Sequence, residues 1–158
     1  MGRRPTLNVD PFFTRLNPLI AALLRSPFHW LASSGLVLLT VTGRRSGRRY
    51  SIPVGYQGRG DQLVILVSHA DTKQWWRNYR QPGPVELRLR GRSVRAEAVV
   101  VEPNSREFRE RVEASFRRMP WLGRQFGIRY DKRVGLADEQ LAPLQRTCAV
   151  VRVALEGQ

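Results

Sequence analysis

Between Leu36 and Glu102 the chain is a succession of short apolar, β-branched runs, most of them broken by glycine-bearing turns too tight to hold a crossover helix. Leu36 to Thr42 is followed by Gly43-Arg44-Arg45-Ser46-Gly47 and then by Arg49 to Tyr56. Pro53 confines that second run to a sheet edge or a bulge, because proline has no N–H for a ladder. Gly58-Arg59-Gly60-Asp61 turns into a third run, Gln62 to Ser68. Val85, Leu87 and Leu89 alternate with Glu86, Arg88 and Arg90, the pattern of a strand with one dry and one wet face. Gly91-Arg92 turns it, Val94 to Glu102 returns, and Cys148 to Leu155 is a last strand. Six strands joined mainly by hairpins predict a mainly β, α+β chain whose antiparallel sheet closes into a small barrel. A doubly wound parallel sheet is disfavoured, and neither GxGxxG nor GxxxxGK[ST] occurs to cradle a nucleotide.

Helical signals lie mostly outside that stretch. Asn17 can cap a helix carrying Pro18, Leu19, Ile20, Leu23 and Leu24, and Ser26-Pro27 opens a second through Phe28, Trp30 and Leu31. Residues 1–34 therefore read as a helical segment attached to a single domain spanning 1–158. Trp75, Trp76 and Tyr79 suit a short helix stopped by Pro82-Gly83-Pro84. Asn104 with Glu107 resembles a capping box ahead of Phe108, Val112, Phe116 and Met119, which Pro120 ends. A loop with Trp121, Phe126 and Tyr130 leads to a short helix near Asp138 to Leu144.

Charge narrows the partners. Lys and Arg total 27 against 13 Asp and Glu, a net charge of +14, and Lys73 and Lys132 are the only lysines. The excess is guanidinium, which favours acidic ligands. Cys148 has no disulfide partner, and with two histidines no Cys/His set of zinc spacing exists, so no metal is expected. No apolar run approaches the roughly 20 residues that a spanning helix needs. Met1-Gly2-Arg3-Arg4 meets an acylation pattern by chance, and without an export signal the chain is expected in the cytoplasm. Arg15 and Arg25 flank the apolar N-terminal stripe, which suits either the inner face of an anionic membrane or, more commonly, the cover of a core.

The densest chemical signal is the turn from Gly43 to Arg49, with four arginines, two glycines and a serine. Guanidinium groups bind phosphate or carboxylate bidentately, glycines admit an oxyanion to the backbone, and Ser46 adds a hydroxyl. A solvated basic turn is the bland alternative. Trp75-Trp76-Arg77-Asn78-Tyr79 sets three rings and an amide just after the third strand, as a floor for a planar ligand or simply as core. His29, His69 and Cys148 have no partners that would make a nucleophile and base, so any reactivity would come from a bound cofactor.

Leu38-Leu39-Thr40-Val41-Thr42-Gly43-Arg44-Arg45-Ser46-Gly47, with Pro53, Ser68, Trp75 and Asn78 downstream, resembles the deazaflavin-dependent nitroreductase and quinone reductase family. The resemblance implies an FMN-binding-like split β-barrel that holds reduced coenzyme F420, a planar deazaflavin with an acidic phosphodiester tail. It implies hydride transfer from that coenzyme to a quinone or another electron-poor acceptor. By the same resemblance Arg45 holds the phosphate with Arg44, Ser46 and Gly47 in support, Pro53 and Ser68 border the ring, Trp75 packs beside it and Asn78 helps hold the tail. His69 falls near a position that is often basic. Tyr50 stands where the family places an arginine, and Arg49 or Arg48 is the candidate to replace it. Tyr130 could donate a proton or cover the pocket, although no motif fixes it.

Other readings remain open on the residues alone. The nearest is FMN in the same barrel. Arg88, Arg90, Arg92 and Arg95 could form a basic face for RNA or single-stranded DNA without sequence specificity. A barrel could also hold an apolar ligand or haem without reaction. Split barrels often pair as homodimers.

Overall fold

The computed structural model describes residues 35–157; the helices expected within 1–34 lie outside them. Seven strands make one antiparallel sheet: β1 (Leu36–Thr42), β2 (Arg49–Gly55), β3 (Gln57–Arg59), β4 (Gln62–Ser68), β5 (Gly83–Leu89), β6 (Arg92–Val100) and β7 (Cys148–Leu155). Their spatial order is β2-β1-β5-β6-β7-β4-β3. The two edge strands, β2 and β3, are thus joined in sequence by Tyr56 alone. Strands at opposite ends of a sheet can share so short a link only if the sheet curls until its edges approach, which gives a half-barrel split along that seam. The fold is the expected α+β split barrel, with the β2 edge where Pro53 required one.

Two points depart from expectation. Among the described residues the strand count is seven, because Gln57–Arg59 pairs with Gln62 to Val64 across a Gly60-Asp61 turn. Three residues centred on a glycine carry almost no β signal. The first α-helix among the described residues, α1 (Arg106–Arg118), is capped by Ser105 rather than Asn104: Ser105 Oγ accepts the Phe108 N–H at 3.1 Å. Glu107 does not reach back to the cap; its carboxylate receives Arg152 of β7 at 2.9 and 3.1 Å. That pair ties the helix to the sheet.

Alternation sorts the side chains into two cores. Val37, Leu39, Val41, Leu63, Ile65, Val67, Val85, Leu87, Ala96, Ala98, Val151 and Val153 fill the barrel interior, together with Trp75 and Tyr79. On the outer face of the sheet, Val64, Cys148 and Val150 meet Phe108, Val112 and Phe116 of α1 and Leu144 of α2 (Asp138–Thr147). Phe108 and Phe116 are fully buried, and each contributes roughly 1.5–3 kcal/mol of burial free energy. A 3₁₀ segment, Pro120–Phe126, closes this layer, with Phe126 and Tyr130 rings 5.6 and 5.7 Å from Phe116.

Candidate cofactor-binding site

The turn after β1 is closed by its own backbone. Gly43 N–H donates to the Arg48 carbonyl and Gly47 N–H to the Gly43 carbonyl, both at 2.9 Å, and Gly47 takes a left-handed φ of 64°. Ser46 Oγ accepts the Arg48 N–H at 3.3 Å. Arg44, Arg45 and Arg48 project into solvent and make no ion pair among the described residues. Arg49 differs: its Nη2 lies 2.7 Å from Glu86 Oε2 on β5. Three cations without a carboxylate on one short turn repel one another, so an arriving dianion gains from all of them at once.

The turn leans on a second element, the 3₁₀ segment Trp75–Tyr79. Arg44 N–H donates to Asn78 Oδ1 at 3.2 Å, and Arg44 Nη1 reaches the Arg77 carbonyl at 3.5 Å. Asn78 Nδ2 donates to the Trp75 carbonyl at 3.0 Å. Trp75 points into the barrel and is 8% exposed. Trp76 is half-buried against the same core: its Nε1 donates to the Ala70 carbonyl at 2.9 Å, and the Arg77 and Arg80 guanidinium groups sit 5.5 and 5.7 Å from its ring centroid. Burial pushes the Tyr50 phenol up from its ordinary pKa, with the Asn78 hydrogen bond acting against it. Burial, reinforced by Tyr50, pushes Tyr79 up to about 12. Both phenols are neutral donors at physiological pH.

The remaining sequence candidates fall around this nucleus to different extents. Ser68 ends β4, with its Oγ 3.4 Å from Lys73 Nζ. His69 follows with a left-handed φ of 50° and an exposed side chain; its carbonyl accepts the Thr72 N–H and hydroxyl. Pro53 lies across from Leu38 in register, and since Tyr50, Ile52 and Val54 pack on the interior, Pro53 shares the outer face with Ser51, Arg49 and Glu86. Tyr130 is elsewhere. It packs in the helix-covered core, where its buried Oη has no partner among the described residues. The structure therefore joins the basic turn, Trp75 and Asn78, and does not join Tyr130 to them.

Two residues were not singled out as site residues by sequence. Tyr50 is marked by alternation, since Tyr50, Ile52 and Val54 form the inward set of β2. Arg77, stacked on Trp76 and bonded to Gln74 Oε1 at 3.0 Å, has no local pattern that distinguishes it from the other arginines. At the far end of the barrel Arg90 and Arg92 line a cleft of about 580 Å³, but Asp61 and Glu156 line it too. Arg95 pairs with Glu156 at 3.7 Å and lies across from Glu86 in register, so this hairpin carries mixed charge.

The donor set is guanidinium, hydroxyl and backbone N–H, which suits an anionic handle and supplies no acid–base or nucleophilic machinery. No group of three or more metal-ligating side chains exists among the described residues. Cys148 is buried, with its thiol pushed up to about 12 by desolvation, and is inert as a nucleophile. The residues present thus fit a cofactor that is flat, acidic at one end and reactive by itself.

Fold and site together define a split barrel with an arginine-rich hairpin turn set against an aromatic segment. A family model described as F420H(2)-dependent quinone reductase matches residues 28–126, which include the turn, the aromatic segment and β1 to β6. The chain belongs to that family and is an F420-dependent oxidoreductase; its cofactor is coenzyme F420. No curated protein matches it. Among solved structures it is similar to the FAD and heme binding protein from Mycobacterium smegmatis, at 19% identity and a TM-score of 0.47, over 84% of this chain and 67% of that one. It is similar to the heme storage protein HutZ from Vibrio cholerae, at 17% identity and a TM-score of 0.45, over 90% and 92% of the two chains. An F420 reductase matches at 14% identity and a TM-score of 0.38, over 86% and 92%. No helix among the described residues is long and apolar enough to cross a membrane.

Proposed function

We propose that this chain reduces a quinone with F420H2. The observation that carries the reading is the trio of exposed arginines, Arg44, Arg45 and Arg48, without an internal counter-charge on a turn braced against Trp75–Tyr79. When bound, the reduced deazaflavin supplies a hydride to an electron-poor acceptor. The protein's own residues bind and orient. Arg45 and its neighbours hold the phosphodiester by charge-assisted hydrogen bonds, each of which contributes about 1.5–3 kcal/mol. Ser46 offers the O–H left after it accepts from Arg48, and Gly47 leaves room for close approach of the backbone. Arg49, held by Glu86, sets one edge of the site instead of contributing a free cation. Pro53, Ser68 and His69 are proposed as ring-side residues, and Trp75 as the interior wall behind them.

Because quinones are lipid-soluble, the Arg15- and Arg25-flanked stripe would bring the enzyme to anionic bilayers; flotation with such liposomes at low salt tests this, and absence of binding removes it. The test of the function is anaerobic oxidation of F420H2 followed by absorbance, with a water-soluble naphthoquinone or a nitroaromatic as acceptor. Faster turnover of the naphthoquinone supports the reading. Turnover of the nitroaromatic alone contradicts it.

A further inference from the structure

We infer that the surface built by residues 117–134 docks on an anionic lipid bilayer, with Trp121 and Val134 entering the headgroup layer. The inference stands on that surface alone and holds whatever acceptor the enzyme reduces.

Residues 117–134 hold six cations, beginning with Arg117 and Arg118 at the end of α1, against one acid, Asp131. The carboxylates bonded within this stretch are already engaged. Glu113 Oε1 accepts the Leu136 N–H at 3.2 Å and Arg117 Nη2 at 3.4 Å, and Asp131 Oδ1 accepts the Arg133 N–H at 2.8 Å inside its own turn. Arg118, Arg124, Arg129, Lys132 and Arg133 are exposed and make no ion pair among the described residues. Five such cations so close in the chain set up a positive field that draws an anionic partner.

The backbone gathers the stretch into one knob at the C-terminal end of α1. The Ile128 N–H donates to the Gly123 carbonyl at 2.8 Å, and a Cβ on Gly123 would stand 3.3 Å from that of Tyr130, so the Pro120–Phe126 segment lies directly against residues 128–130. The Asp131 carbonyl then accepts the Val134 and Gly135 N–H groups at 3.2 and 2.9 Å, and the Leu136 bond to Glu113 returns the chain to α1. The inner side of the knob is filled: Ile128 and Leu136 are buried, with Leu122, Phe126 and Tyr130 packed beside them. Trp121 and Val134 are left outside, 60% and 78% exposed, and among the described residues they are the only large hydrophobic side chains so placed. One exposed apolar residue is ordinary; two in a single stretch of unpaired cations point to a partner that is both anionic and apolar.

That pairing selects the partner. A nucleic acid would use the cations and could stack on Trp121, but it offers nothing to Val134. An anionic bilayer serves all of them: guanidinium groups meet lipid phosphates, an indole sits at headgroup level and an aliphatic side chain enters the acyl boundary. Each cation near such a surface strengthens partition about fivefold, an effect that salt screens.

The test is co-sedimentation of the full chain with liposomes of phosphatidylcholine alone or mixed with phosphatidylglycerol, at low and high salt. Binding is expected on the anionic liposomes only and is expected to vanish at high salt. It should weaken about tenfold or more when Arg124→Gln is combined with Arg129→Gln, and again when Trp121→Ala is combined with Val134→Ser. All four side chains are exposed, so both double variants should keep the wild-type Tm. The apolar stripe at the N-terminus is the same in every protein compared, so its own affinity for lipid cancels. Quenching of protein fluorescence by brominated lipid should fall in Trp121→Phe, which identifies the indole that enters the layer. Equal liposome affinity in the wild type and both double variants overturns the inference, as does a failure to bind anionic liposomes at low salt. Binding of polyuridylate without binding of liposomes also overturns it and gives the surface to nucleic acid.

Discussion

Replacing Gly43 by alanine tests the shape of the basic turn atom by atom. A Cβ on Gly43 would lie 2.7 Å from Ser46 Oγ, 3.6 Å from the Arg48 carbonyl oxygen and 3.9 Å from Ser46 Cβ. Only the first contact is too close. Gly43 has no left-handed φ, so alanine adds no backbone strain. The Ser46 hydroxyl must rotate away, and in doing so it gives up the Arg48 N–H that it accepts at 3.3 Å. One neutral, exposed hydrogen bond is worth about 0.5–1.5 kcal/mol, which for a chain of this size lowers the Tm by about 1–6 °C. In a Ser46→Ala background the obstacle is absent, and Gly43→Ala is expected to change stability by less than about 0.5 kcal/mol. Thermal and urea unfolding of the four proteins in this cycle measure the coupling. Coenzyme affinity should follow the same pattern if Ser46 and Arg48 hold the coenzyme as proposed. An equal cost of Gly43→Ala in both backgrounds would refute the reasoning, because Ser46 would not then be what the methyl group meets.

Two further outcomes follow from the same geometry. Gly47 sits at a φ of 64° with open space around it, so Gly47→Ala costs backbone strain alone in the free protein, about 1 kcal/mol by unfolding, and weakens coenzyme binding because its methyl group takes the room proposed for the anion; unchanged affinity would mean that the coenzyme does not approach the backbone there. The native Cys148 thiol, raised by burial from 9.0 to about 12, contributes stability in full below pH 9 that is lost as pH rises towards 12. By pH 11 the loss is about 3 kcal/mol, and Cys148→Val should escape it. Urea midpoints at pH 8 and pH 11 for both proteins would show the difference, and equal losses would rule out the thiol as its source.

Local pattern carried most of the fold. β1, β4 and β7 run over the expected residues because each is a dense β-branched run flanked by turn or helix signals. Pro53 limited β2 to an edge or a bulge because it has no N–H for a ladder, and the strand order makes it an edge. β3 escaped notice because its three residues pair through backbone groups, which leave no mark in side-chain periodicity. The cap at Ser105 was misplaced by one residue because Glu107 found a stronger partner in Arg152, 45 positions away.

The site divides in the same way. The arginine turn is contiguous in sequence and was visible as such. The partners that give each side chain its role are not contiguous: Glu86 captures Arg49 from 37 positions away, and Asn78 anchors Arg44 from 34. Such contacts depend on β1 lying between β2 and β5 and on the Trp75–Tyr79 segment lying against the turn, facts of topology rather than of spacing. Tyr130 shows the converse. Its sequence carries an aromatic phenol in a loop, and only the packing on Phe116 assigns it to the opposite side of the sheet from the barrel interior.

The most direct test is an equilibrium titration of oxidised coenzyme F420 into the wild-type protein and into Arg45→Ala, followed by fluorescence, with FMN as a competing ligand. Saturable binding that resists displacement by FMN and weakens by about tenfold or more in Arg45→Ala is the predicted result. Equal affinity in the two proteins, or tighter binding of FMN than of F420, would contradict the claim that this turn grips the acidic end of a deazaflavin.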